Sequence, residues 1–221
     1  MYRKELAYYF STPIAYIVIG LYLLAVSLFL WVIPGQWNII DSGYAQTDGL
    51  FQLSPWLLMF LCPALTMRLF AEERQSGTWD MIVVQPISMT RVVVGKFFAA
   101  WTLMLIALLP NIVHYFIVYS IAEPVGNIDG GQFAGSFIGL IMLSGTFIAI
   151  GMLAGSWSKS QIVAYVTGML SVFVLYWILL QDHYSAVSRG VIDLADVLVF
   201  VGVAVLCLAL TVVILKKLSR V

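Results

Sequence analysis

The residues that could do chemistry in this 221-residue sequence are few, and their spacing is not that of a catalytic site. The two histidines, His114 and His183, stand far apart, and neither lies in a cluster with the ligand spacing of a zinc site. Lys96 follows a glycine, as the lysine of a phosphate-binding loop does, but Phe97 stands where that loop has Ser or Thr. The sequence therefore predicts no metal site, no cofactor bound by the chain itself and no enzymatic activity.

Two polar residues in an otherwise apolar stretch, Asn111 and His114, lie three positions apart and so share one face of a helix. Polar groups inside a membrane are candidates for a substrate path. Such groups also form hydrogen bonds between helices, and Pro110 beside them lacks an amide donor, which leaves a carbonyl to be satisfied. The sequence favours this second interpretation, helix packing, over the substrate path.

These residues belong to a chain that is 62% hydrophobic and only 10% charged, with a mean hydropathy of +1.00. A soluble domain carries about 25% charged residues, so the apolar surface is expected to face lipid. A membrane-spanning helix needs roughly 20 apolar residues, and runs of that length are too long for barrel strands. We therefore predict an all-α polytopic fold with six transmembrane helices, forming one transmembrane domain over residues 1–221. The predicted spans are Pro13–Ile33, Leu50–Phe70, Lys96–Ala122, Phe133–Gly155, Ile162–Leu180 and Val197–Leu215.

The charges predict the orientation of these spans. Ten of the eleven basic residues lie at the chain ends and in the loops of one side, and Arg189 is the exception. Because basic residues concentrate on the cytoplasmic side, both termini are predicted to be cytoplasmic. The acidic residues of the opposite side are Asp41, Asp48, Glu123, Asp129, Asp182, Asp193 and Asp196.

Residues 1–12 are predicted to form a short amphipathic helix at the membrane interface before the first span. Its apolar residues recur at helical spacing on one side, whereas Arg3, Lys4 and Glu5 lie elsewhere on the helix. The alternative is a basic flank that serves only as a topology signal. The pattern alone does not choose between them.

The loop between the second and third spans contains clear local signals. The second span can continue as helix to Arg74, and Gly77 suits the left-handed residue that ends a helix. Thr78 can then cap a short helix over Thr78–Gln85, which Pro86 terminates. This helix is either an element that transmits force between two spans or a connector that only closes the bundle. Its further candidate residues are Trp79, Asp80, Ile82 and Val83.

The segment Gln181–Asp196, between the fifth and sixth spans, is too short to cross the membrane and unusually apolar for a loop. We predict a re-entrant pair of short helices in which Arg189 and Gly190 make the turn and Asp193 caps the sixth span. The alternative is an ordinary loop tied down on the bundle.

The run EERQSGTWDMIVVQPISMTRVVVGKF resembles the cytoplasmic loop of ABC-2 type transporter permeases. The opening RKELAYYFSTPIAY is also similar to the start of those chains, and six spans with both ends inside agree with them. Within that family the chain is most similar to the GldF-type permeases of gliding motility, with the NosY type next. The residues that carry the loop resemblance are Glu72, Glu73, Gly77, Thr78, Pro86, Gly95 and Lys96.

The resemblance implies a permease of the bacterial inner membrane that pairs with a second permease, identical or different. Two cytoplasmic ATPase subunits would bind the ATP and Mg²⁺, and an auxiliary periplasmic or membrane subunit could join them. Thr78–Gln85 would be the coupling helix and residues 1–12 the connecting helix beside it. The residues expected to couple to the ATPase are Glu72, Glu73, Arg74, Gly77, Thr78, Trp79, Asp80, Ile82 and Pro86, with Arg3, Lys4 and Glu5 on the connecting helix.

Two other classes of function remain open on the sequence. An ion-coupled secondary transporter or channel should carry ionisable residues near mid-membrane, and the predicted spans have none in their middle. A non-transporting scaffold that anchors an ATPase complex would need the same loop as a permease. No nucleic-acid partner is expected, and neither the cargo nor the direction of transport follows from the sequence.

Overall fold

The computed structural model describes residues 1–79, 87–188, 190 and 193–218. The chain is 84% helical, and no strand occurs in these residues, which confirms the all-α prediction. Short helices and long, membrane-length helices occur along the chain. Their bounds are α1 Tyr2–Ser11, α2 Pro13–Trp31, α3 Ile39–Ser42, α4 Asp48–Gln75, α5 Met89–Leu108, α6 Asn111–Ile121, α7 Gly130–Trp157, α8 Gln161–Leu175, α9 Gln181–Val187 and α10 Leu194–Leu218.

Six helical units in the described part of the chain are long and apolar enough to cross a membrane, as predicted. They are α2, α4, α5 with α6, α7, α8 with α9, and α10. Five of them are longer than the predicted apolar spans. Helix α4 continues to Gln75, in agreement with the predicted helical extension to Arg74, α5 begins at Met89, and the fifth unit continues to Val187. The protein is thus a multi-pass membrane protein whose helices extend beyond the apolar core.

Helix α7 lies at the centre of the bundle and packs against α4, α5, α8 and α10. In the most apolar 18-residue stretch of α4 and of α7, 67% of the residues are buried, against 17% in α10, so α10 is peripheral. Glycines make the central position possible because they let helix backbones approach closely. A Cβ at Gly151 would collide with the Thr66 hydroxyl of α4, and one at Gly139 would lie 2.9 Å from Val187.

Prolines in the spans leave backbone carbonyls without their usual partner, and the tertiary structure supplies a donor for one of them. In α4, Pro55 cannot donate to the carbonyl of Phe51, four residues earlier. The hydroxyl of Tyr184 in α9 donates to that carbonyl at 2.8 Å. Pro110 separates α5 from α6, which agrees with the proline's position in the predicted third span.

The segment after the fifth span differs from the prediction in its first half. Residues Tyr176–Leu180 form a π-helical turn that leads directly into α9, so Gln181–Val187 continues the span and is not the first arm of a separate re-entrant pair. Tyr184 and Val187 of this segment pack against Gly139 of α7. Gly190 has a positive φ of 85°, and the Asp193 carboxylate accepts from the Ala195 amide at 3.4 Å at the start of α10. Arg189 and residues 191–192 lie outside the described residues.

Candidate functional site

Three consecutive residues in the last turn of α4, Glu72, Glu73 and Arg74, each contact a different helix. Successive residues of an α-helix are rotated by about 100°, so three in a row point in three directions. As predicted, α4 continues to these residues and ends beside Gly77, whose φ of 72° is left-handed. We refer to these residues and their partners as the Glu72–Arg74 cluster, and to this end of the bundle as the α1 end.

Glu72 connects α4 to α1. The hydroxyl of Tyr8 donates to the Glu72 carboxylate at 3.0 Å. The pKa of Tyr8 is raised, mainly by partial burial and secondly by the hydrogen bond to Glu72. The phenol therefore stays protonated and remains a donor. The neighbouring hydroxyl of Tyr9 donates to the Leu65 carbonyl of α4 at 3.3 Å. Two adjacent tyrosines therefore fix α1 along the last turns of α4.

Glu73 connects α4 to α5 through a buried lysine. The ammonium of Lys96 lies 2.6 Å from Glu73 and 3.0 Å from Glu5 of α1, and the Lys96 side chain is only 1% exposed. It also lies 5.7 Å from the centroid of the Phe70 ring. A charge removed from water in this way is tolerated only when it is paired. One lysine thus joins α1, α4 and α5, and the second carboxylate oxygen of Glu73 is buried without a hydrogen-bond partner.

The position of Glu5 corrects part of the sequence prediction. We expected Glu5 on the polar side of an interfacial helix with Arg3 and Lys4, but Glu5 is buried, while Arg3 and Lys4 are exposed. Glu5 is buried because it pairs with Lys96, and the helical periodicity of residues 1–12 gives no sign of that pairing. The polar contacts of α1 therefore include one that points into the bundle.

Gly95 and Lys96 act together in placing α1. A Cβ at Gly95 would lie 2.8 Å from the Cβ of Met1, so a larger residue would push the start of α1 away from α5. The glycine permits the close approach, and the following lysine forms the ion pair with Glu5. The Gly-Lys pair at the start of the third span is therefore explained by helix packing and charge pairing.

Arg74 connects α4 to the end of α7. Its guanidinium donates to the carbonyl of Ser156 at 2.7 Å and to that of Ser158 at 3.4 Å. The last carbonyls of a helix have no intrahelical partner, and a cation there also opposes the negative end of the helix dipole. The same guanidinium lies 5.4 Å from the centroid of the Trp79 ring.

The segment predicted as the coupling helix is described only at its beginning. Trp79 is 8% exposed and packs against Phe70, with ring centroids 6.4 Å apart, so its ring is covered by its own chain. The hydroxyl of Thr78 donates to the Glu73 carbonyl at 3.3 Å, which ties the start of the segment back to α4. The remaining predicted positions, Asp80, Ile82, Val83 and Pro86, lie outside the described residues.

A cavity of about 390 Å³ opens beside the Glu72–Arg74 cluster, between α1, α4 and α5. Its wall includes the three carboxylates of the cluster and the cationic residues Lys4, Arg68 and Lys96. Within the described residues, no group of three His, Cys, Asp or Glu side chains is placed to hold a metal ion. The chemistry available here is charge pairing between helices.

Asn111 and His114 lie far from this cluster and form hydrogen bonds between spans. The amide of Asn111 donates to the Tyr22 hydroxyl at 2.7 Å, and the Tyr22 hydroxyl lies 2.9 Å from the Ser54 hydroxyl. The indole of Trp31 donates to Nδ1 of His114 at 3.0 Å. The Asn111 carbonyl oxygen is buried without a partner. This geometry agrees with the packing interpretation of the pair.

Sequence reasoning missed three members of the cluster as site residues: Lys96, Tyr8 and Ser156. A signal for Lys96 was present, because it is a lone cation in the apolar run VVVGKFFAAW. Buried lysines of this kind need a carboxylate partner, and Glu73 and Glu5 were available. Tyr8 and Ser156 gave no signal, since a tyrosine and a backbone carbonyl acquire their roles only through packing.

Comparison with known protein families gives a match over most of the chain. The model of a family described as "ABC-2 family transporter protein" matches residues 39–214, which is most of the chain. Glu72, Glu73, Arg74 and Lys96 lie inside the matched region, whereas Glu5 and Tyr8 precede it. No curated protein matches the chain.

Proposed function

The chain belongs to the ABC-2 transporter family, and we propose that it is the membrane-spanning permease subunit of a transporter driven by a separate cytoplasmic ATPase. ATP and Mg²⁺ would bind to that ATPase, since the family domain is the membrane component and not the catalytic one. The α1 end would face the cytoplasm, in a bacterial inner membrane, because the basic residues collect there.

The observation that carries the proposal is the Glu72–Arg74 cluster. Residues 76–88 connect the end of α4 to the start of α5, and the ion pair between Glu73 and Lys96 joins those two helices directly. A force applied to the connection would therefore move α4 and α5 together rather than separate them. This is the mechanical property that a subunit driven from its cytoplasmic face requires.

The cluster also determines which other helices would follow. The Glu72 bond to Tyr8 and the Lys96 bond to Glu5 would carry the displacement to α1. The Arg74 bonds to the end of α7 would carry it to the central helix. Because α7 packs against most of the bundle, a shift at the α1 end could change the opposite end.

Further parts of the proposal rest on the family and on the resemblance. The permease would pair with a second permease, so that the transport path forms between two subunits. Thr78–Gln85 would act as the coupling helix. The GldF-type branch, a role in gliding motility or export, an auxiliary subunit and the organisation of residues 1–221 as one domain remain predictions.

The test is purification of the tagged full-length chain from its native membrane in a mild detergent. We expect an ATPase subunit with a phosphate-binding loop at matched stoichiometry, and ATP hydrolysis that vanadate inhibits. Lys96→Met should keep the ATPase bound but uncouple its hydrolysis from the permease, whereas Lys159→Met, at an exposed site of the same end, should not. A stable native complex without an ATPase, or flux driven by an ion gradient alone, would refute the proposal.

A further inference from the structure

The end of the bundle opposite α1, which we call the α3 end, contains a second cavity of about 750 Å³. It lies between the α2–α3 connection, α4, α7 and the fifth span. Its volume falls in the range of small-molecule sites, which commonly lie between the helices of a bundle. Aromatic rings line it, Trp37, Trp56 and Tyr176 among them.

The lining follows from helical spacing. Asp48, Gln52 and Trp56 are four residues apart on α4 and so form one stripe along its side. On the fifth span, Tyr176 and Gln181 are five apart and would diverge on a regular α-helix. The π-helical turn corrects this, because the Gln181 amide donates to the Tyr176 carbonyl five residues earlier and brings both side chains to the cavity.

Hydrogen bonds hold the walls in place. The Gln132 amide donates to one carboxylate oxygen of Asp48 at 2.8 Å, joining α7 to α4. The Ser136 hydroxyl donates to the Ser188 carbonyl at 2.7 Å, and the Tyr184 hydroxyl secures the fifth span to α4. The cavity is thus preformed, which lowers the cost of ordering a ligand site.

Among the described residues of the lining, the one carboxylate is Asp48, and none is a Lys or Arg. The described loops and helix ends at the α3 end contain seven acidic residues and no Lys or Arg. Clustered charge of one sign raises the local concentration of opposite ions, so a cation is favoured here and an anion is opposed.

We propose that this cavity binds an organic ammonium cation carried on an apolar group, with Trp37, Trp56 and Tyr176 around the cation and Asp48 as its counter-charge. Aromatic faces attract cations through the ring quadrupole, and they accept quaternary ammonium groups that cannot donate hydrogen bonds. The amides of the lining can contact the remaining polar atoms of such a ligand. The inference deepens the proposed function by naming a ligand class for the permease, and it rests on that function for any transport role.

The test uses the full-length chain alone in phosphatidylglycerol nanodiscs, with empty discs as reference and no ATP. The probe is radiolabelled benzyltrimethylammonium, and the competitor is neopentylbenzene, which has the same shape but no charge. We expect saturable binding of the cation that the neutral isostere does not displace. Equal displacement by the isostere would overturn the proposal.

Two pairs of variants locate the site. Asp48→Asn keeps an acceptor for Gln132 and should weaken cation binding about tenfold. Asp182 is an exposed acid of the same end that lies outside the cavity, so Asp182→Asn should change cation binding less than about twofold. Gln52 is exposed, so Gln52→Glu and Gln52→Lys should fold alike. The first should tighten binding and the second weaken it, and equal binding by both would refute the site.

The ammonium group could belong to a lipid headgroup or to a free cation, and a competition experiment with an added lipid distinguishes the two. If phosphatidylethanolamine added to the discs competes with the probe, a lipid headgroup is the ligand; if it does not, a free amphipathic cation is. Because binding is measured without a partner, failure here leaves the ATPase purification result unaffected, and failure to find an ATPase leaves the cation site intact.

Discussion

Replacing Lys96 by Met tests the role of the Glu72–Arg74 cluster most directly. Methionine retains an unbranched stem of similar length, so the packing near Phe70 changes little while the ammonium is removed. Glu5 and Glu73 then lose their cation, although their side chains are only 12% and 19% exposed. The variant therefore isolates the charge of Lys96 from its volume.

The expected loss in free energy of unfolding is about 3–5 kcal/mol, the range found when one partner of a buried ion pair is removed. The distances support a value in this range, because the ammonium lies 2.6 Å and 3.0 Å from the two carboxylates, and both contacts disappear at once. Changing Glu5 and Glu73 to Gln in the same chain removes the uncompensated charges. This triple variant should recover to within about 2 kcal/mol of the unchanged protein.

The assay is reversible unfolding in dodecyl maltoside mixed with increasing SDS, followed by far-ultraviolet circular dichroism. Lys159→Met, which removes an exposed lysine at the same end, should change the unfolding free energy by less than about 0.5 kcal/mol. A loss of under about 1 kcal/mol for Lys96→Met would refute the reasoning. So would a triple variant no more stable than the single one, because the cost would then come from lost packing and not from unpaired charge.

Three further predictions follow from the packing and the charges. Gly151→Ala should cost about 1–3 kcal/mol in the same unfolding assay because its Cβ has no space, whereas Gly20→Ala, with nothing within 4 Å, should be neutral or stabilising; equal effects would contradict the packing at α7. Tyr184→Phe leaves the Phe51 carbonyl without a donor and should cost about 1–3 kcal/mol, against no loss for Tyr16→Phe on the exposed side of α2. A fluorescent protein fused to the C-terminus should fold and fluoresce in the cytoplasm, and a dark fusion with an active periplasmic phosphatase fusion at the same point would reverse the orientation.

The membrane fold was predictable because it follows from local properties. Six runs of about 20 apolar residues determine six spans, since a backbone in lipid must satisfy its hydrogen bonds within a helix. The end of α4 was predictable for a similar reason, because Gly77 is the residue type that accepts a left-handed conformation. The family was indicated by the resemblance of one loop and of the opening residues to ABC-2 permeases, and the family match supports it.

Element lengths and the second half of the fifth span were less predictable. Apolar runs define the lipid-exposed core of a helix but not its polar extensions, which is why five of the six spanning units are longer than their apolar runs. The segment Gln181–Val187 was predicted as part of a re-entrant pair, whereas it continues the fifth span as helix. Its Tyr184 and Val187 pack against Gly139 of α7, and the π-helical turn that precedes it has no simple sequence signature.

The sequence by itself determined that this chain crosses a membrane six times, which of its loops share a side, and that Glu72, Glu73 and Arg74 end a helix. Only the tertiary structure decided what those three residues contact. The bonds of Glu72 to Tyr8 and of Lys96 to Glu5 join residues more than sixty positions apart. Local periodicity places a side chain on a face of its own helix, but the partner on another helix depends on how all the helices pack, and that packing is set by the whole chain.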